Sequence, residues 1–190
     1  MDFLYKKHPK GTYEHIVFKR KVDIVVMIVM FALALGLYVI GRVSTGTNKN
    51  IMTIIAVLGL LPACKMVVDV IMCFRVKVCD SNIKNRIEGT ETGKNGFYNM
   101  YFTSYDKNFA IDHMVITSNS IIGLSTDAKY DDKAFQTHIS DLIRKEGLKD
   151  VFVKIFTDTD KYINRLSELD KSEDKRISEA ICSLVMNVTF

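Results

Sequence analysis

"VDIVVMIVMFALALGLYVIG", residues 22–41, decides the fold. Once Asp23 is passed, Ile24 to Ile40 are 17 consecutive apolar or small residues. At about 1.5 Å per residue, a helix of that length covers roughly 26 Å. The hydrocarbon layer of a bilayer is roughly 30 Å thick. A helix buried in a soluble core keeps a polar face, and this one has none. The run starts more than 20 residues into the chain and is followed by a second apolar segment, so it reads as a retained membrane anchor rather than a signal sequence.

The connection "RVSTGTNKN", Arg42 to Asn50, is polar, contains Gly46 and reads as a turn region. It leads into "IMTIIAVLGLLPAC" from Ile51. So short a link cannot recross a bilayer, so the two segments are expected to form an antiparallel hairpin. Six cations precede the first helix: Lys6, Lys7, Lys10, Lys19, Arg20 and Lys21. The loop has Arg42 and Lys49, and Arg75, Lys77, Lys84 and Arg86 follow the second helix. The excess of cations at the two outer flanks places both termini in the cytoplasm.

The continuation "LLPACKMVVDVIMCF", residues 60–74, is apolar but carries Pro62, Lys65 and Asp69. Lys65 and Asp69 are four apart and share a helical face. Pairing the helices about residues 45 and 46 sets Asp23 level with residue 68, beside Asp69. Asp23, Lys65 and Asp69 are therefore expected as a charged cluster at the inner membrane interface. The ordinary role of such a cluster is to set helix depth and pairing; the sharper one is an ion or proton site. A single hairpin supplies no transport pathway. Pro62 is expected to bend the helix or to separate its apolar half from an interfacial continuation.

Composition changes after residue 74. Residues 1–74 hold nine Lys/Arg against four Asp/Glu, a balance of +5; residues 75–190 hold 17 against 18, a balance of −1. The basicity belongs to the apolar part, which weakens a nucleic-acid reading. Cys64, Cys73, Cys79 and Cys182 form no close metal-binding pair. The polar, glycine-punctuated stretch 80–96 reads as a linker that has room for a short helix followed by a loop. Beyond it, aromatic and alternating segments predict strands at 97–105, 109–117, 120–125 and 151–156. Helical periodicity predicts helices at 130–147 and after Asp158, and a last one after Ser172. The expected organisation is a basic cytoplasmic segment 1–21, a membrane hairpin 22–79, a linker 80–96 and a domain 97–190. The fold class is an α-helical transmembrane hairpin followed by a small cytoplasmic α/β or α+β domain.

Candidate chemistry is sparse. Glycines 89, 93 and 96 precede no lysine–serine pair suited to phosphate, and no serine stands in a nucleophile elbow. Asp112 and His113 are neighbours that an extended strand would turn to opposite faces. His138 falls on an apolar helix face and reads as a packed histidine. Asp158 and Asp160, which flank Thr159, read as capping or solvated residues rather than metal ligands. The catalytic lead is Asp112 followed by "TDAK", with Asp127 and Lys129. Two carboxylates can share magnesium or manganese that activates water against a phosphodiester, with the lysine stabilising negative charge. This arrangement resembles the PD-(D/E)XK nuclease superfamily. Within it, "AIDHMVITSNSIIGL" is similar to the strand-pair region of nuclease-related NERD domains. That resemblance implies nucleic acid as partner, with Asp112 and Asp127 as metal ligands and Lys129 as a catalytic residue. Asp112 follows Ile111 rather than proline, and the D-x-K match requires the third strand to run past Ser125.

The overall pattern also resembles an uncharacterised family of small bacterial membrane proteins, which implies no mechanism. The leading expectation is a membrane-anchored cytoplasmic interaction or regulatory module in a bacterial cell membrane, non-enzymatic and without a cofactor. Its partners would be the lipid bilayer and either a second copy of itself or another membrane protein. The alternative is a membrane-tethered metal-dependent nuclease, or a degenerate nuclease-like module that binds nucleic acid.

Overall fold

The computed structural model describes residues 8–104, 107–117, 120–128, 130–147, 151–169 and 175–189. The chain divides into two compact units, residues 1–7 with 16–75, and residues 8–15 with 76–190. Lys129 lies outside the described residues.

The first unit is a pair of long helices, α1 (His15–Thr45) and α2 (Ile51–Arg75). Both are long and apolar enough to cross a membrane. They pack antiparallel through small side chains. Ala34, Ala56 and Ala63 are buried, and a Cβ on Gly59 would lie 4.0 Å from that of Ala34. Small residues let helix backbones approach closely where lipid supplies no hydrophobic drive. At the tip, Gly46 takes φ +67°, a left-handed cap that only glycine adopts cheaply, and its N–H bonds to Arg42 O. Asn50 closes the turn. Its Oδ1 accepts from Thr53 N (2.8 Å), while its Nδ2 donates to Thr45 Oγ1 (3.0 Å) and Thr47 O (2.8 Å). α1 therefore runs four residues past Gly41, and α2 continues through Pro62.

The second unit is built on a four-stranded mixed sheet in the order β1 (Phe97–Thr103), β2 (Asn108–Ile116), β3 (Ser120–Leu124), β4 (Phe152–Phe156). The first three strands form an antiparallel meander. Helix α4 (Asp132–Lys145) then carries the chain over, so that β4 pairs parallel to β3. A parallel return needs such a crossover. The predicted strand and helix order is the observed one. Helices α3 (Ser81–Glu88), α5 (Thr159–Glu168) and α6 (Lys175–Val188) complete the unit.

Each face of the sheet has its own core. On one, Met100, Phe102, Phe109 and Ile111 meet Phe135 and Ile139 of α4 and Ile181 and Val185 of α6. Phe135 stands edge-on to Phe102 and Phe109, with centroids 5.2 and 5.3 Å apart. On the other, Tyr98, Val115, Ile122 and Leu124 meet Ile87 of α3 and Tyr162 and Leu166 of α5. Ala180 of α6 is exposed beside a surface cavity that Glu146 and Asn187 also line.

Two segments outside the predicted domain pack into the second unit. Residues 80–96, expected as a linker, contain α3, and Ile87 is fully buried in the second core. Its two isoleucines, Ile83 and Ile87, are spaced to dock one helical face, which the polar composition conceals. Residues 8–15, expected as part of a free basic segment, belong to the second unit. Gly11 O accepts from Tyr98 N (2.7 Å), and Lys10 Nζ donates to Met186 O (2.7 Å) at the end of α6.

Candidate functional site

A strand in regular extension sends residues two apart to the same face. β1 and β2 break this rule together. Tyr98 belongs to one core and Met100 to the other; across the ladder, Ile111 lies in the core of Met100 while His113 packs on Tyr98 and Tyr162. The pairings Tyr98↔His113 and Met100↔Ile111 flank the break, leaving Asn99 opposite Asp112. Asn99 achieves the reversal with φ +55°, the left-handed conformation that asparagine tolerates better than most residues.

The Asn99 side chain is buried, with both ends of its amide engaged. Its Oδ1 accepts from Cys79 N (2.7 Å), and its Nδ2 donates to Tyr13 O (2.9 Å). The Tyr13 hydroxyl closes the ring by donating to Cys79 O (2.9 Å). Tyr13 precedes α1 and Cys79 follows α2, so one side chain of the sheet ties the chain where it leaves the second unit to where it returns. Nothing in the sequence reading singled out Asn99. The signal available was an asparagine, which is depleted in strands, inside the aromatic run "FYNMYFT".

Burial keeps four groups around this junction neutral: Cys79, His113, Tyr98 and Tyr162. Burial, then the charges of Asp112 and Asp80, push the Cys79 thiol up to about 12, far from the thiolate that nucleophilic chemistry needs. Burial lowers the His113 imidazole to about 4, against a smaller opposing effect of the Gly93 carbonyl. His113 Nε2–H donates to Gly93 O (3.1 Å), which makes Nδ1 the acceptor of the Tyr162 hydroxyl (2.6 Å). Both ring nitrogens are thus engaged. A Cβ on Gly96 would stand 2.2 Å from His113 Nε2, so the glycine-rich stretch serves to wrap this ring. Burial raises the Tyr98 and Tyr162 hydroxyls.

The nuclease-like set is placed as follows. Asp112 is buried at the face reversal, and its Oδ2 accepts from Thr126 N (2.6 Å). β3 ends at Leu124, although Ser125 N still reaches Phe156 O (2.9 Å). Asp127 follows in the loop, half-buried, its N–H directed at Ser125 Oγ (3.4 Å). Among the described residues, 125–128 do not continue the strand that the D-x-K match requires. Among the described residues, no group of three or more His, Cys, Asp or Glu could hold a metal ion. His138 is half-buried and stacked on Phe109 (centroids 6.1 Å), and burial lowers its pKa. Asp158 caps α5 through the N–H groups of Asp160 and Lys161.

The charged trio on the helices does not assemble as expected. Asp23 is buried and accepts from Cys73 Sγ (3.4 Å), while Arg20 Nε donates to Cys73 O (3.0 Å). Because α1 extends to Thr45, the pairing slides by about one turn and brings Asp23 to Cys73. Lys65 is exposed and Asp69 half-buried, and neither makes an ion pair among the described residues.

Comparison with protein-family models, curated proteins and solved structures finds no match to the chain.

Proposed function

We propose that α1 and α2 form a transmembrane hairpin and that the second unit is a cytoplasmic interaction or regulatory module anchored by it. One observation carries the reading. Of the twenty large hydrophobic side chains exposed among the described residues, all but Phe152 lie on α1 and α2. Val25 (59%), Leu33 (60%) and Leu61 (69%) are representative. At about 1 kcal/mol for each half-exposed side chain, leaving that surface in water would cost on the order of 20 kcal/mol. A whole domain is stable by about 5–15 kcal/mol, so a bilayer is the environment that fits.

The Asn99 junction supports the hairpin. The segment before α1 and the segment after α2 are bonded within one folded unit, so both helix ends open on the same side of a membrane. The cation distribution favours the cytoplasmic side. The resemblance to small bacterial membrane proteins points to the bacterial cell membrane. A nuclease draws no support from the surroundings of Asp112 and Asp127, which belong to no group of three or more His, Cys, Asp or Glu that could hold a metal ion among the described residues.

Alkaline carbonate should leave the protein in the membrane pellet, and protease added outside intact cells should spare the second unit. Release by carbonate would overturn the anchor. Digestion of residues 97–190 from outside would overturn the orientation.

A further inference from the structure

α2 has two long faces. The one turned to α1 is lined by Ala56, Ala63, Met66 and Cys73. On the far side, Ile54, Leu58, Leu61, Lys65, Val68 and Met72 recur at alternating spacings of four and three. This is the seam of a left-handed helix pair. Ile54, Leu58, Leu61 and Val68 are each more than half exposed, and Lys65 is exposed at the centre of the row. An uncompensated ammonium at that depth is costly, and such residues usually have a partner. The acid on α2, Asp69, lies one helical turn from Lys65 on the same side of the helix.

We infer that this seam docks a second copy of the chain, with Lys65 of each copy paired to Asp69 of the other. The inference rests on the transmembrane reading. All copies of a membrane protein insert in the same orientation, so the closed symmetric arrangement is a two-fold axis along the membrane normal. That axis brings the two seams together in parallel and makes the contact reciprocal. The axial offset is one turn, roughly 5.4 Å, within reach of a lysine stem. One contact then neutralises both charges using only groups that the seam carries. A lone lysine on an a position also sets register in such pairs. Lipid, or a membrane protein of other sequence, would have to bring its own acid.

The test uses full-length chains carrying two different tags, co-expressed and read by energy transfer in lipid vesicles. Wild type should self-associate. Lys65→Asp alone sets acid against acid, and Asp69→Lys alone sets base against base; each should weaken association on the order of tenfold. Mixing the two variants creates both opposite-charge pairs between chains and should restore association. Repair of a pair within one chain cannot produce that result.

Carbonate-resistant retention is measured first for every chain. If wild type is not retained, the transmembrane reading itself has failed. If wild type is retained but does not associate, or the mixture is no better than the single variants, the two-fold pairing is overturned and lipid is left as the occupant. Should a charge reversal block insertion, Lys65→Gln and Asp69→Asn replace it. Each of those should lose association to a similar extent, and unchanged association would overturn the pairing.

Discussion

His113 offers the sharpest test of the second unit. In the unfolded chain its imidazole titrates near 6.5; in the folded unit burial lowers it to about 4. Between those values the unfolded chain binds a proton that the folded chain does not, so stability falls with falling pH. The contribution is fully present above about pH 6.5 and is lost progressively down to about pH 4. Integrating to pH 5, before most carboxylates titrate, gives a loss of about 2 kcal/mol. Protonation would also turn Nδ1 into a donor facing the Tyr162 hydroxyl, which now donates to it. His113→Gln can keep a donor toward Gly93 O and an acceptor toward Tyr162 without titrating. The assay is urea unfolding of the full chain in detergent, followed by tyrosine near-ultraviolet dichroism, at pH 7 and pH 5. Wild type should lose about 2 kcal/mol more than the variant, a midpoint difference of roughly 1 M. Equal losses in both proteins would refute the buried neutral ring.

Other expectations follow from the same region. Gly96→Ala places a methyl 2.2 Å from His113 Nε2 and should cost about 1–3 kcal/mol in the same urea assay; a neutral result would mean that the loop does not pack on the ring. Asn99→Ala removes two hydrogen bonds at a left-handed position and should cost about 1 kcal/mol more than Asn99→Gly, which keeps the backbone free. Both variants should speed hydrogen exchange at the Cys79 amide, and unchanged protection would remove Asn99 as the tie. Purified protein with magnesium or manganese should leave DNA and RNA intact. Metal-dependent cleavage that disappears in Asp112→Asn and Asp127→Asn would instead establish the nuclease.

Much of the architecture was legible in the amino-acid order because it is set locally. The run Ile24–Ile40 is apolar on every side of a helix, whatever else the chain does. The strands and helices from Phe97 onward follow from period and from turn residues, and the β–β–β–α–β–α–α order emerges from them. The packing of His138 needed only a helical wheel, and the cap at Asp158 only its position before a helix. The antiparallel hairpin needed only a short connection.

Three matters depended on contacts between residues far apart in the chain. The first is the Asn99–Asp112 reversal, in which both strands change face at a matched position. Alternation within either strand alone suggests a continuous face; only cross-strand register and a positive φ reveal the switch. The second is the recruitment of residues 8–15 and 80–96 into the domain, because hydrogen bonds from Tyr13 and Lys10 leave no pattern in local composition. The third is the separation of Asp23 from Lys65. A four-residue extension of α1 moved the turn and slid the helices by about one turn, bringing Asp23 to Cys73. Helical and strand periods are properties of neighbouring residues, so sequence alone determined them. Register is the outcome of two distant segments choosing each other, and tertiary structure alone decided that.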